Sequence, residues 1–333
     1  MEREEQFRNK IIWFSFVFSA LVVWVHSVNI TEGRGAVFEN FLGDTAGQIA
    51  VPGFFMISGY LFYRNFTWGE LGRKWESRIR SILVPYILWN GLYYAGYAAA
   101  SRLPFLAGIV EKGAVPLGWR AAADAVLNYT YNYVFWYLYQ LILLILLAPV
   151  LYGILKNRIL GGAALGAVFY FAQRGTIIPY LNLDALFYYS LAAFGGIHGK
   201  SLIEGERTGG KMAAGFILAA AAVFVYGASW PGEISSRVCY RAMMPAGLWF
   251  LADQKKLPGA REWMCYDFFI YAVHFALVRL VNKTAALVWG EDRLIMEILF
   301  LVMPAAAVWL CSRTGAWLKR HFPILWSLLN GGR

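Results

Sequence analysis

The chain has 333 residues, of which 59% are hydrophobic and only 15% are charged, and its formal net charge is +10. Ordinary soluble domains contain about 25% charged residues, so this composition argues against a soluble globule and excludes disorder, fibres and a small disulfide scaffold. The mean hydropathy of +0.50 is spread over the whole chain. These values predict an all-α polytopic membrane protein. Its three cysteines lie far apart without zinc-type spacing, so we expect no metal site.

Apolar windows long enough to cross a bilayer recur along the chain. Each must be helical, because hydrocarbon offers no partner for backbone N–H and C=O groups. We expect about ten transmembrane helices, at 11–29, 46–63, 81–100, 134–155, 160–172, 183–198, 212–229, 237–252, 265–282 and 294–312. We expect the first to be retained, because no A-x-A-like cleavage site follows it. In the fifth window, Gly162 and Gly166 have small-xxx-small spacing and predict helix packing.

The basic residues predict the orientation. Twenty of the 30 Lys and Arg residues lie in segments that share one side of the membrane with the N-terminus. Basic loops stay on the cytoplasmic side, so both termini are expected to be cytoplasmic. The positive charge indicates contact with membrane lipid or an anionic cytosolic ligand, and no nucleic-acid-binding module is recognisable. No repeat or linker interrupts the pattern, so we expect one membrane domain over 1–333, with no appended soluble domain.

Ionisable residues inside the apolar windows are functional candidates, because each costs about 2.5–3.5 kcal/mol to insert. They are His26, Arg241, Asp267, His274, Arg279 and Glu297. His26 lies sixteen residues beyond Lys10, about 24 Å along a helix, which predicts a position in the outer third of the membrane. The structural alternative is a neutral histidine hydrogen-bonded to a neighbouring helix.

Asp267, Tyr271 and His274 follow i, i+4, i+7 spacing and therefore share one helical face. Such a stripe lines a cavity in an enzyme or forms a proton relay in a transporter. A packed polar seam between helices is the structural alternative. The longest polar connections, the outer segment 101–133 and the inner arm 64–80, are the expected places for substrate contacts.

The inner arm carries a cluster of basic residues, Arg73, Lys74, Arg78 and Arg80. Guanidinium and ammonium groups bind phosphate, so the cluster predicts a site for a nucleotide-like anion; an ordinary positive-inside anchor is the alternative. Pro85, in the window that follows, is expected to loosen the backbone ladder. No motif for a phosphate-binding loop, dinucleotide binding, zinc proteolysis or a serine nucleophile occurs.

Five strings along the chain occur in a familiar order: LVVWVHS, VPGFFMISGYLF, RIRSILVPYILWN, FWYLYQLILLILLAPVL and FFIYAVHF. In this order they resemble membrane acyltransferase family 3, whose members move acetyl or other acyl groups from a coenzyme A thioester to sugars of cell-envelope glycans. The resemblance covers nearly the whole chain. It implies a multi-pass protein of a bacterial-type plasma membrane. It also implies acyl-CoA, with acetyl-CoA as the expected donor, and a carbohydrate or lipid-linked glycan as acceptor.

The family's motifs can be followed residue by residue. Its catalytic histidine, at the end of the first helix, matches His26. Its later motifs match Phe54, Phe55, Ser58 and Gly59; Arg78, Arg80, Pro85 and Tyr86; and Ile270, Tyr271 and His274. Many members carry an arginine eleven positions before the histidine, where this chain has Ser15, so whatever that arginine does must be done here by another group or not at all.

Together, the resemblance and the residue chemistry give each candidate a role. His26 is the expected catalytic base or transient acyl carrier. From comparable depth alone, Glu297 is the expected orienting group and Arg241 the expected oxyanion stabiliser. The expected donor contacts are Arg73, Lys74, Arg78, Arg80 and Tyr86. The expected acceptor contacts are Ser58, Trp136, Tyr137, Asp267, Tyr271 and His274.

Two other functional classes remain open on the sequence: a transporter or flippase for a glycan or small polar substrate, and a non-catalytic membrane scaffold or sensor. The acceptor sugar, the acyl chain, the oligomeric state and the choice between direct transfer and an acyl-histidine are also left open.

Overall fold

The structure is a computed structural model that describes residues 3–28, 33–104, 106, 113–229, 233–290 and 292–332. Across these ranges the chain is helical, and its one strand-like feature is an isolated bridge between Ile178 and Leu181. The α-helices are α1 Arg3–His26, α2 Gly33–Asp44, α3 Ala50–Tyr63, α4 Leu71–Arg78, α5 Val84–Ala100, α6 Trp119–Leu127, α7 Trp136–Leu146, α8 Ala148–Leu155, α9 Arg158–Gln173, α10 Leu183–His198, α11 Lys200–Glu204, α12 Gly209–Gly227, α13 Ile234–Leu251, α14 Asp267–Trp289, α15 Arg293–His321 and α16 Pro323–Asn330.

Several of these helices are long and apolar enough to cross a membrane. Within the described ranges there are five such segments, Arg3–His26, Val37–Tyr63, Gly209–Gly227, Glu262–Trp289 and Arg293–His321, and a sixth if α7 and α8 form one broken span. The all-helical membrane class is therefore confirmed. In each of the ten predicted windows most of the described residues are helical, but the count of ten spans and the orientation of the termini stay predictions.

Two prolines explain where the helices depart from regularity. The window 134–155, predicted as one span, bends by 63° between α7 and α8. Pro149 lies at the start of α8, and a proline ring removes one backbone donor and clashes with the preceding turn. A π-helical turn, Ile79–Leu83, precedes α5, which has Pro85 in its first turn. The expected loosening of the ladder near Pro85 is thus confirmed.

The described residues fall into two compact units. The first comprises Met1–Val22, Phe41–Lys74 and Leu143–Met264. Its core includes a cluster formed by Phe18, Val22, Ile49, Ala50, Ala222, Tyr226 and Tyr240. Helices α3 and α10 pack so closely that a Cβ atom on Gly59 would overlap the carbonyl oxygen of Tyr189.

Glycine also permits close packing between α12 and α13 in this unit. A Cβ atom on Gly215 would lie 2.9 Å from the carbonyl oxygen of Gly247. By contrast, a Cβ atom on Gly162 or Gly166 would meet no described atom within 4 Å. The predicted packing role of Gly162 and Gly166 is therefore wrong, because spacing alone does not tell which face of a helix meets a neighbour.

The second unit comprises Val23–Asn40, Trp75–Ile142 and Cys265–Arg333. In it, α5 contacts α6 and α16, and α14 contacts α15 and α16. The Trp89 indole donates to the carbonyl oxygen of Leu329 at 2.9 Å, and the Tyr93 hydroxyl donates to that of Ala272 at 2.8 Å. These bonds connect α5 to α16 and to α14, the helix that carries the late family motif.

Candidate active site

The site lies in the second unit, where α1 ends at His26. The Ser27 hydroxyl donates to the carbonyl oxygen of Val23 at 2.7 Å and closes the last turn of α1. The side-chain amide of Asn282, on α14, donates to the carbonyl oxygen of Ser27 at 3.3 Å. The predicted position of His26 at the end of the first helix is confirmed, and its backbone is connected to α14.

Tyr133 is the polar partner of His26. It opens a short 3₁₀ turn, Tyr133–Phe135, and its hydroxyl oxygen lies 2.8 Å from Nδ1 of His26. The ring of Phe275 packs edge-on against both side chains, with centroid distances of 5.8 Å to His26 and 4.7 Å to Tyr133. The hydrogen bond and the aromatic contacts together fix the orientation of the imidazole.

His274 is the second histidine of the site. Its ring centroid lies 5.4 Å from that of His26, and the residue is completely buried. Its Nδ1 lies 2.6 Å from the carbonyl oxygen of Tyr271. A carbonyl oxygen only accepts, so Nδ1 carries the hydrogen and Nε2 of the neutral ring is an acceptor. Among the described residues, that Nε2 has no hydrogen-bond partner.

Tyr271 supports the turn that presents Tyr133. Its hydroxyl donates to the carbonyl oxygen of Val134 at 2.6 Å, and its ring stacks on that of Phe135 at 5.6 Å. Asp267 is the first residue of α14, where its carboxylate accepts the backbone N–H of Phe268 at 2.9 Å. The polar stripe on α14 is thus divided: His274 lies at His26, and Tyr271 braces the neighbouring turn.

The chain can now be compared with known proteins. The model of the acyltransferase 3 family, described as an acyltransferase domain, matches residues 11–313. The chain belongs to the acyltransferase 3 family. The match includes all the candidate site residues discussed above, and the resemblance read from the five sequence strings is confirmed. No solved structure matches the chain.

A similar curated protein is the succinoglycan biosynthesis protein ExoH of Rhizobium meliloti (strain 1021). It is 30% identical over 200 residues, which cover 58% of this chain and 52% of the relative. The chain therefore matches about half the length of that relative.

The two residues assigned by depth have other partners. In the first unit, the Arg241 guanidinium lies 3.3 Å from the Asp184 carboxylate and also bonds to the side chain of Gln48. In the second unit, the Glu297 carboxylate lies 2.8 Å from the Arg293 guanidinium, one helical turn away. Depth in the membrane did not predict these pairings, because it does not determine which neighbouring helix a side chain faces. The orienting contact to His26 comes from Tyr133.

The basic arm consists of α4 and the π-helical turn after it. Arg73 pairs with Glu70, and Arg80 lies 2.6 Å from Glu76. These two arginine side chains are 77% and 76% exposed, so each ion pair stabilises the protein by only about 0.3–0.5 kcal/mol. Another anion can therefore easily replace the carboxylate in either pair. The Lys74 ammonium donates to the carbonyl oxygen of Phe62 at 2.6 Å.

Other predicted contacts lie within packed regions. The Tyr86 hydroxyl donates to the carbonyl oxygen of Val126 at 2.6 Å, and its ring is 3% exposed, which places it in the core of the second unit. Tyr137 is also buried and packs edge-on against Tyr271. Trp136 begins α7, and Ser58 lies half-buried on α3 of the first unit. In the outer segment 101–133, residue 105 and residues 107–112 lie outside the described residues.

No group of three or more His, Cys, Asp or Glu side chains able to hold a metal ion occurs in the described ranges. Tyr133 is the functional contact that the sequence did not predict. It is separated from His26 by 107 residues. Two features of the sequence could have indicated Tyr133. It lies in the aromatic-rich outer segment, and it comes just before the string FWYLYQLILLILLAPVL that resembles the family.

Proposed function

We propose that the protein is an integral membrane O-acyltransferase. It moves an acyl group, with acetyl as the expected one, from a cytosolic acyl-CoA to a hydroxyl of an extracytoplasmic or lipid-linked glycan. The observation that carries the proposal is the 2.8 Å contact of Tyr133 with His26 in a chain of the acyltransferase 3 family. The name of the similar protein, which refers to succinoglycan biosynthesis, supports a glycan acceptor.

In the proposed reaction, His26 uses Nε2 as the base. We propose the tautomer in which Nδ1–H donates to the Tyr133 hydroxyl oxygen, 2.8 Å away, so that Nε2 keeps its lone pair. The acceptor oxygen attacks the thioester carbonyl carbon while Nε2 takes its proton. The tetrahedral intermediate then expels the coenzyme A thiolate, and the imidazolium returns the proton to the sulfur. A new ester bond replaces the thioester bond, with no change in redox state.

An acyl-histidine route uses the same nitrogen. There Nε2 attacks the thioester carbonyl carbon and the coenzyme A thiolate leaves. The acceptor oxygen then attacks the acyl carbon, Nε2 leaves, and the hydroxyl proton passes to solvent, which protonates the thiolate. The hydrogen bond from Nδ1 to Tyr133 directs Nε2 towards the reacting groups in either route. A rapid quench of enzyme mixed with radiolabelled acetyl-CoA distinguishes the routes, because only the second attaches label to the protein before acceptor is added.

We assign the phosphates of the donor to the basic arm. Arg73, Lys74, Arg78 and Arg80 are close in sequence, and the partners of Arg73 and Arg80 are the half-buried Glu70 and the exposed Glu76, each one turn away. A coenzyme A phosphate carries more charge than a carboxylate and accepts bidentate hydrogen bonds from arginine, so it competes well for these groups. This assignment places the arm and both termini on the cytoplasmic side of a bacterial plasma membrane.

The test is acyl transfer by the purified full chain in detergent or nanodiscs. With isotope-labelled acetyl-CoA and cell-envelope glycans, we expect a mass increase of one acetyl group on the glycan and release of free coenzyme A. Movement of glycan across a vesicle membrane with no acylation would contradict the proposal and favour a flippase. Neither transfer nor movement would also contradict it and favour a scaffold.

A further inference from the structure

Three side chains connected to His26 have buried polar atoms that bond to no described protein atom. They are Nε2 of His274, Oδ1 of Asn282, and both Oδ1 and Nδ2 of Asn132. His274 and Asn132 are fully buried. Buried polar groups are nearly always hydrogen-bonded, because each one left unsatisfied costs about 1–3 kcal/mol. Several such atoms around one candidate base therefore require an explanation.

His274 contacts His26 directly, and the other two residues are connected to it through its neighbours Ser27 and Tyr133. The ring of His274 packs against that of His26, with centroids 5.4 Å apart. Asn282 donates to the carbonyl oxygen of Ser27, the residue after His26. Asn132 precedes Tyr133, whose hydroxyl contacts the imidazole. These connections distinguish the three residues from other residues of the second unit that also have a buried polar atom without a partner, such as Asn90 with its Oδ1.

The backbone around Asn132 is fixed, so its free side chain is not a consequence of a loose loop. Its N–H donates to the carbonyl oxygen of Tyr129 at 3.0 Å, and its carbonyl oxygen accepts from Phe135 at 3.0 Å. Tyr129 has a φ of +42°, a left-handed conformation that is rare outside glycine. Such strain persists where the surrounding structure holds it, often at functional sites.

The same loop is held at a second point. The Asp124 carboxylate accepts the Thr130 hydroxyl at 2.6 Å and the Asn128 amide at 2.7 Å. These two bonds, that of Thr130 first, lower the pKa of Asp124 below its ordinary value. The charged carboxylate therefore organises the chain that leads to Asn132.

The chemistry of the free atoms selects the ligand. Nε2 of His274 and Oδ1 of Asn282 are acceptors, so their ligand must donate hydrogen bonds. A phosphate or carboxylate at neutral pH offers chiefly acceptors and does not fit. Asn132 adds one donor and one acceptor. A hydroxyl group both donates and accepts, and a sugar ring carries several hydroxyls in a fixed arrangement.

We propose that Asn132, His274 and Asn282 form the acceptor subsite and bind hydroxyls of the sugar other than the one that reacts. This inference rests on the proposed acyltransferase function and narrows its acceptor. The sugar that is acylated therefore carries further free hydroxyls close to the reacting one. A sugar that lacks these hydroxyls is expected to bind weakly. A site built to bond a hydroxyl strongly rejects the analogue that lacks it.

The experiment compares the wild type with Asn132→Leu, using acetyl-CoA with methyl hexopyranosides and their single-deoxy analogues. Leucine has a similar size and removes the unsatisfied amide, so the variant is expected to unfold at the same temperature or higher. We expect its KM for the glycoside to rise about tenfold, the loss of one hydrogen bond, while its KM for acetyl-CoA stays unchanged. For the wild type, one deoxy analogue should have a higher KM than the parent glycoside. For Asn132→Leu, the same analogue and the parent glycoside should have similar KM values.

Asn90→Leu is the matched control. Asn90 is also buried in the second unit with a free Oδ1, but its amide bonds to Tyr86 on its own helix. We expect this variant to keep the wild-type KM for the glycoside. An unchanged glycoside KM in Asn132→Leu, with transfer retained, would overturn the acceptor subsite alone. No transfer by the wild type to any glycoside or envelope glycan would instead overturn the proposed function.

Discussion

The hydroxyl oxygen of Tyr133 lies 2.8 Å from Nδ1 of His26, although the two residues are 107 positions apart in the chain. The first opens the turn before α7, and the second ends α1. Both side chains pack against Phe275, and the contact occupies Nδ1 of the imidazole, so Nε2 is the nitrogen that remains for the reacting groups. In the proposed function this contact takes the orienting role for which a buried carboxylate was expected.

Tyr133→Phe tests this orienting role. The variant keeps the ring that packs on Phe275 but removes the oxygen that contacts Nδ1 of His26. We expect kcat for acyl transfer to fall about tenfold to a hundredfold, with little change in the KM for acetyl-CoA. The pH–rate profile should also shift, because the imidazolium loses an acceptor. Tyr94→Phe, which loses a hydroxyl that bonds to the carbonyl oxygen of Pro116, is the control and should keep its profile.

The donor assignment predicts the effect of neutralising the basic arm. In Arg78→Gln/Arg80→Gln, we expect the KM for acetyl-CoA to rise about tenfold at low salt, and the difference to shrink as salt screens the charges. The control, Arg313→Gln/Arg320→Gln, removes two basic residues near the end of α15. If calorimetry gives the double variant in the arm wild-type affinity for coenzyme A, the cluster is a topology anchor only.

Gly59 predicts a stability effect. Gly59→Ala places a Cβ atom against the backbone of Tyr189, so α3 and α10 must separate. Overpacking of this kind costs about 1–3 kcal/mol, and we expect a lower unfolding temperature in detergent. Gly166→Ala, at an exposed helical position with no described atom within 4 Å of the added Cβ, should unfold at the same temperature or higher. Equal temperatures for both variants would contradict the close helix packing.

The orientation predicts labelling with a membrane-impermeant thiol reagent. In a background without native cysteines, a cysteine at Leu117, which is 69% exposed, should react in intact cells. A cysteine at Arg320, near the end of α15, should react only after the cells are lysed. Labelling at 320 in intact cells would contradict cytoplasmic termini.

Much of the fold could be predicted from the sequence, because hydropathy alone requires helices wherever an apolar window is long enough. The bend between α7 and α8 was missed although Pro149 marks it, since prolines also occur in continuous membrane helices. The motif identified Gly59, but only the structure shows why glycine is needed there, which is the close packing of α3 against α10. Gly162 and Gly166 show that the same spacing occurs without packing.

Individual residues of the site could be predicted from the sequence, but the contacts between their side chains could not. The motifs found His26, Tyr271 and His274, and helical spacing placed the last two on one face. Pairing needs the rotation of each helix about its axis, which depth along the membrane does not give. For this reason Glu297 was matched to His26 by depth, whereas it pairs with Arg293.

The central claim, that His26 performs the acyl transfer, is tested most directly by turnover of His26→Gln with acetyl-CoA and glycan. The matched control is His321→Gln, at an exposed histidine whose Nδ1 lies near the carbonyl oxygen of Trp317. Glutamine keeps hydrogen bonding but does not titrate. We predict that turnover falls by about 10²–10⁴-fold, with expression and coenzyme A affinity retained, while His321→Gln keeps wild-type turnover. Wild-type turnover in purified His26→Gln would contradict the account.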